Sequence, residues 1–321
     1  MFDQLLSPVI LFFLLGAFAA FARSDLAIPE AAAKAMALYL MAAIGLKGGI
    51  QVAENGVTAA FLAAAFIGVA LSCIIPLAAF AALRGLGRLD ALNAAAVAAH
   101  YGSVSVVTFV AGSEALELAG MPAAGHMVAV LALMETPPII VGLMLARRFA
   151  AAASAPPGPA GAFLHETLLN GSVVLLSGSF LIGLAIGKQG FAPIAPVFDS
   201  AFRGVLCLFL LDMGLVAARR LREARSLTLR LAVLAIAFPL VNGFIGVLLG
   251  ALAGLDQGSA AALGILAASA SYIAAPAAMR VALPQADAGL YLAMSLALTF
   301  PFNIIAGIPL YAGLARWMSG A

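Results

Sequence analysis

The sequence predicts an all-α polytopic membrane protein with ten transmembrane helices, arranged as two inverted five-helix repeats in which helices four and nine are broken and cross. Composition, ten apolar runs and an internal repeat carry this prediction. Of the 321 residues, 64% are apolar and 9% are charged, with a mean hydropathy of +1.14. A soluble domain carries about 25% charged residues, so this chain lacks the side chains to cover a water-facing surface. Lipid-facing helices need no such cover, because each satisfies its backbone polar groups internally. Cys73 and Cys207 each sit in an apolar stretch and read as small hydrophobes, giving no disulfide framework. His100, His126 and His165 show no metal-ligand spacing. No cofactor and no nucleic-acid partner is expected.

Runs of about 20 apolar residues span a bilayer as helices. Ten occur, at 7–22, 31–50, 57–83, 91–111, 123–147, 167–187, 199–217, 228–254, 259–278 and 288–316. The first is read as a span, not a secretion signal, because it opens with Asp3 and has no Lys or Arg ahead of its apolar run. The second, fourth, seventh and ninth are short or interrupted by Gly, Ser and Pro. An Ala- and Pro-rich cytoplasmic linker, 150–162, separates an N-terminal repeat, 1–149, from a C-terminal one, 163–321. With the N-terminus outside, the cytoplasmic side receives Arg23, Lys34, Arg84, Arg88, Arg147, Arg148, Arg219, Arg220, Arg222, Arg225, Arg230 and Arg280, while Lys47, Lys188, Arg203 and Arg316 fall on the other side. Twelve cations against four set the orientation. The expectation is a multi-pass protein of the inner (plasma) membrane with both termini outside the cytoplasm.

The halves echo each other in order. Ile44-Gly45-Leu46 recurs as Met213-Gly214-Leu215, Pro76-Leu77 as Pro239-Leu240, Ser103-Val104-Ser105 as Ser269-Ala270-Ser271, and Thr136 with Pro138 as Thr299 with Pro301. The offsets are 169, 163, 166 and 163. Five spans per half is an odd number, so the second copy enters the membrane from the opposite side. Such inverted repeats are characteristic of secondary transporters, whose sites lie where broken helices meet near the midplane.

Spans four and nine bring the polar atoms: Gly102, Ser103, Val104 and Ser105 in one, and Ser269, Ala270, Ser271 and Tyr272 in the other. A helix broken there, as Gly102 and Pro276 suggest, frees backbone amides at a half-helix N-terminus, which attract an anion. Neither segment offers Arg or Lys, so a small, singly charged oxyanion fits better than a phosphate. Ser and Gly also serve close packing between membrane helices, but their placement in both halves favours binding. Lys47, Glu135 and Asp212 lie within apolar spans and are candidates for coupling-ion binding or charge balance. Lys47 and Asp212 flank the matched Gly-Leu steps and are expected to pair. His100 reads as a core histidine before it reads as a proton relay.

Asp199-Ser200-Ala201-Phe202-Arg203-Gly204-Val205-Leu206 with Met213-Gly214, Ile28-Pro29-Glu30-Ala31, Ile44-Gly45-Leu46 with Gly48-Gly49, and Ile308-Pro309-Leu310 resemble the sodium-dependent bicarbonate transporter family known from cyanobacteria. The resemblance runs in order from about Ser7 to Leu314. It implies a gate domain from 7–50 plus 167–217 and a moving core domain from 57–147 plus 228–316. It further implies a homotrimer, bicarbonate import with the sodium ion as co-substrate, and inhibition by a PII-like cytoplasmic regulator. The family's two serine motifs fall on Ser103 and Ser105 and on Ser269 and Ser271. Three positions depart. The family has Gly where this chain has Val104, Ser where it has Ala270, and Asp where it has Tyr272. The family also has a small neutral residue near Lys47, so Lys47 is expected to supply charge otherwise brought by sodium. The linker, shorter than the family's, weighs against the regulator.

The leading reading is therefore import of a small anion, bicarbonate first, by elevator-like movement of the core. Transport of another small monocarboxylate or organic anion with altered cation coupling is the runner-up. A membrane scaffold that senses an anion and signals to a soluble regulator is the reading from another class. No nucleophile–base pair or cofactor motif points to an enzyme.

Overall fold

The computed structural model describes residues 7–149, 171–224 and 226–319, so the expected linker at 150–162, His165 and Arg225 lie outside the described residues. Within them every regular element is helical. In chain order these are α1 (Pro8–Phe21), α2 (Glu30–Asn55), α3 (Ala59–Gly85), α4 (Ala91–Gly102), α5 (Val106–Leu118), α6 (Met127–Phe149), α7 (Gly171–Phe191), α8 (Phe202–Glu223), α9 (Leu229–Leu252), α10 (Gln257–Ala268), α11 (Ala274–Ala282) and α12 (Ala288–Met318).

Polar side chains at the helix starts fix where the helices begin. Thr58 and Thr228 cap α3 and α9, and Asp90 and Asp256 cap α4 and α10, each accepting from the amide three residues on. Burial alone would raise the Asp90 carboxyl, but hydrogen bonds from the amide and side chain of Asn93 carry it below its ordinary range.

Seven stretches are long and apolar enough to cross a membrane: α2, α3, α4 with α5, α6, residues 174–191 of α7, α9 and α12. Helices α1 and α10 are apolar but shorter, and α8 carries Arg203, Asp212 and an arginine-rich last turn. Phe18, Leu62, Phe66, Leu229, Leu252 and Trp317 stand out from the surface, where lipid tails are their matching solvent. The chain is an α-helical, multi-pass membrane protein.

Spans two and seven read as short or interrupted; the helices there, α2 and α8, are continuous. Their glycines pack instead of breaking. A Cβ on Gly49 of α2 would run into the Phe180 carbonyl oxygen of α7, and one on Gly183 of α7 into the Leu46 carbonyl oxygen of α2. Helices α1 and α8 meet in the same way, Gly16 against the Leu211 carbonyl and Gly214 against the Phe13 carbonyl. Small residues let membrane helices approach closely enough for backbone-to-backbone dispersion. The breaks fall elsewhere: at the two serine segments, at Thr136 before Pro137, and at Gly187, whose φ of 57° and ψ of −167° suit only glycine.

Proline accounts for a second set of contacts. Pro239 has no N–H for the carbonyl four residues back, and the Thr299 hydroxyl donates to that Ala235 carbonyl at 2.6 Å. With its one hydrogen used there, Thr299 Oγ1 accepts from the Tyr101 hydroxyl at 2.7 Å. Tyr311 donates to the Pro239 carbonyl at 2.8 Å. Near Pro301, α12 widens into π turns over Ala293–Thr299 and Asn303–Gly307, a local form common at functional sites.

Gly49→Ala and Gly214→Ala are each expected to lower stability by about 1–3 kcal/mol through overpacking. Gly178→Ala, with open space at the added Cβ, should leave the thermal midpoint in detergent unchanged or raised.

Candidate functional site

α4 stops because the chain at Gly102 is wedged between two prolines. A Cβ there would overlap Pro76 of α3 and come within 2.7 Å of Pro138 of α6. Ser103 (φ −82°, ψ 146°) and Ser105 (φ −107°, ψ 111°) are extended, and the helix resumes as α5 at Val106. The other half does the same. α10 ends before Ser269 (φ −76°, ψ 159°), and α11 begins at Ala274.

The two unwound segments cross and complete each other's hydrogen bonding. The Ser105 amide donates to Ser269 Oγ at 2.9 Å, and the Ser271 amide donates to the His100 carbonyl at 2.9 Å. The Ser269 hydroxyl donates to the Leu266 carbonyl and the Ser103 hydroxyl to the Glu135 carbonyl. Ser105 Oγ accepts from the Thr108 amide and Ser271 Oγ from the Ala275 amide, capping α5 and α11. Gly102, Ser103, Val104, Ser105, Ser269, Ala270, Ser271 and Tyr272 are thus gathered at one buried place.

A cavity of about 10 Å³ lies in the crossing, bounded by Val104, Ser105, Val106, Glu135, Ser271, Tyr272, Ile273 and Ala274. It has room for one water molecule and must widen to admit an anion. Val106 and Ala274 are the first residues of α5 and α11, so two helix N-termini border it, each with a partial positive charge. Two residues of its wall carry a buried polar atom without a hydrogen-bond partner, Glu135 at Oε2 and Tyr272 at its hydroxyl, and His100 Nε2, in the last turn of α4, also lacks one. His100 Nδ1 donates to the Ala96 carbonyl at 2.6 Å, and its ring stacks on Tyr291 at 4.3 Å between centroids.

A family model, the Na+-dependent bicarbonate transporter superfamily, matches residues 8–316. The chain belongs to that superfamily. A search of curated proteins gives no match. As a superfamily member the chain is a transporter, in keeping with its apolar helices. In this member, Val104 and Tyr272 both stand in the cavity wall, where they narrow it.

The remaining candidates separate. The expected pair of Lys47 with Asp212 does not form. Lys47 Nζ lies 2.5 Å from Asp199 Oδ1 and 4.8 Å above the Phe202 ring. Asp199 sits in the turn just before α8, level with Lys47, whereas Asp212 is ten residues into α8, about 15 Å along its axis. Lys47 thus lies outside the wall of the serine crossing. It lines a second cavity of about 340 Å³ with Glu54, Glu117, Lys188 and Asp199. Asp212 is buried and forms no ion pair among the described residues. Of the three, only Glu135 reaches the crossing.

Sequence reasoning missed three contributors. Asn303 Nδ2 donates to the Ala268 carbonyl at 2.9 Å, satisfying the open end of α10. Tyr101 anchors α4 to Thr299. Arg203 pairs with buried Glu114 of α5. The signal available for Asn303 was a polar side chain inside an apolar run, the same signal that singled out Glu135, whereas Glu114 lies beyond the end of the run at 91–111.

Tyr272→Phe removes a buried hydroxyl whose polar neighbour is Ser105, so it is expected to leave the thermal midpoint of the ligand-free protein unchanged or raised. Thermal unfolding in detergent checks this, and a lowered midpoint would show the hydroxyl to be bonded.

Proposed function

We propose that this transporter imports a small, singly charged oxyanion, bicarbonate first, by secondary active transport coupled to sodium. The observation that carries the reading is the crossing itself. Two half-helix N-termini and two serine segments enclose a small buried space with no Arg or Lys in its wall. Dipoles of this strength suit one negative charge and not two. The superfamily's description supplies bicarbonate as the first choice and sodium as the cation.

The mechanism that goes with it is an elevator. Two inverted five-helix halves contribute α1, α2, α7 and α8 to a gate and the remaining helices to a core that moves. The glycine-mediated α1–α8 and α2–α7 contacts support a rigid gate. The alanine-lined packing of α4 and α10, buried from Ala94 to Gly102 and from Gly258 to Ala268, supports a rigid core. The transporter sits in the inner membrane with both termini outside, as the cation bias indicates. Trimeric assembly and a PII-like regulator follow from family resemblance alone. A second reading is favoured by Val104 and Tyr272, which make the wall bulkier than the family's pattern: the anion is then a different small monocarboxylate.

Proteoliposome uptake of radiolabelled bicarbonate, formate and acetate, with sodium present or replaced by potassium, is the test. Bicarbonate uptake that needs sodium is expected. Ser105→Ala and Ser271→Ala should each weaken bicarbonate binding about tenfold or more, the loss of one hydrogen bond to a charged group, while the purified proteins keep the wild-type elution profile. Uptake of formate or acetate in place of bicarbonate selects the second reading. Binding without flux would replace transport by sensing.

A further inference from the structure

Glu135 is the one acidic side chain in the wall of the serine crossing. It is 2% exposed, and its Oε2 has no hydrogen-bond partner among the described residues. The neighbouring hydroxyl, Ser103, is committed to the Glu135 backbone carbonyl, not to its carboxyl group. Glu135 thus lines the cavity with no hydrogen-bond or ion-pair partner for its Oε2 among the described residues, beside the N-termini of α5 and α11, whose partial positive charge suits one negative charge and not two.

Among the described residues no charged side chain shares the cavity wall with it, and Arg280 of α11 is exposed in that helix's last turn. Helix α10 carries no titratable group, and the middle of α3 carries only Cys73. From α2 and α7, Lys47 and Lys188 turn into the other cavity, Lys47 held by Asp199. The remaining titratable groups of α2 and α3 are placed away from it. Glu30 and Lys34 lie in the first turns of α2, Tyr39 donates to the Val197 carbonyl, Glu54 lines the second cavity, and Arg84 donates to the Leu89 carbonyl. The titratable groups at the crossing are His100, Tyr101 and Tyr272, and of these Tyr272 shares the cavity. Tyr101 is bonded to Thr299.

An anion seated in this space would touch the Glu135 carboxyl. If both were ionised, they would repel across a medium too dry to screen them. An isolated charge in such surroundings is neutralised or paired. A protonated carboxyl, by contrast, has an O–H to donate to the anion, turning the obstacle into a ligand. We infer that anion occupancy of the crossing is linked to the uptake of one proton by Glu135. The inference rests on the anion site proposed above, and it holds alongside sodium as the driving ion. It assigns the charge-balancing role to a residue of α6 and removes it from Lys47.

Bicarbonate affinity of the purified full-length transporter, measured from pH 6.5 to 9 at constant bicarbonate concentration in sodium and in choline, tests it. With one linked proton, affinity should fall about tenfold per pH unit over the upper part of that range. Glu135→Gln, which keeps the shape and cannot ionise, should bind with an affinity independent of pH, and Glu135→Asp should restore the slope. A wild-type affinity flat with pH would overturn the linkage while leaving the anion site in place. A slope that persists in Glu135→Gln would assign the proton to another group, His100 first, and equally overturn it. Sodium dependence that disappears in Glu135→Gln without any pH slope would make sodium the neutralising cation instead. No bicarbonate binding by the wild-type protein at any pH would remove the anion reading itself and this inference with it.

Discussion

Backbone amides and carbonyls freed inside a membrane have no water to turn to, and each left unpaired costs several kcal/mol. The serine crossing is a mutual solution to that constraint. The last turn of α4 supplies the His100 carbonyl that the Ser271 amide needs, and Ser269 supplies the oxygen that the Ser105 amide needs. Neither unwound segment satisfies itself. Asn303 of α12 closes the end of α10, and Thr299 closes the gap left by Pro239 in α9. The breaks in the two halves therefore stabilise one another, and α12 is bound into both.

What surrounds the crossing follows from the same economy. Alanine and glycine line α4 and α10, so neighbouring helices approach closely and hold the half-helices in place by dispersion, since lipid offers no hydrophobic drive between helices. In α1, α2, α7 and α8, glycine faces carbonyl across two helix pairs. A structure packed this tightly has few soft places. The helices depart from regular α geometry at Gly187, at Thr136–Pro137 and in the π turns of α12. A movement that widens the crossing has these points through which to act.

The chemistry of the site is set by what the crossing leaves unpaired. The Ser103 and Ser269 hydroxyls donate to backbone carbonyls, whereas Ser105 and Ser271 accept from the Thr108 and Ala275 amides and keep their own hydrogens for a ligand. Glu135 Oε2 and the Tyr272 hydroxyl, on residues of the cavity wall, have no partner among the described residues. Serine placement locates the site, and the unpaired groups beside it decide what an incoming anion must bring or take up.

Much of this was legible in the chain. Low charge and long apolar runs required helices in lipid, because a helix hides its backbone within one continuous apolar run, whereas the strands of a barrel are shorter and alternate in polarity. The matched serine, proline and threonine steps marked the crossing, because a broken membrane helix needs small polar residues at the break. Glu135 stood out as a carboxyl group in an apolar run. Other features were not legible. The glycines of spans two and seven read as interruptions, but a glycine permits a break and a close contact equally, and only the facing carbonyls of Phe180 and Phe13 decide between them. Lys47 and Asp212 looked like partners by repeat position, yet pairing depends on axial level, which placed Asp199 within reach and Asp212 about 15 Å further along α8. The sequence by itself determined the solvent, the helical content and the location of the polar breaks, since these depend on local composition and period. Only the tertiary structure decided which donor meets which acceptor, because hydrogen bonds and ion pairs depend on distances of a few ångströms between residues far apart in the chain.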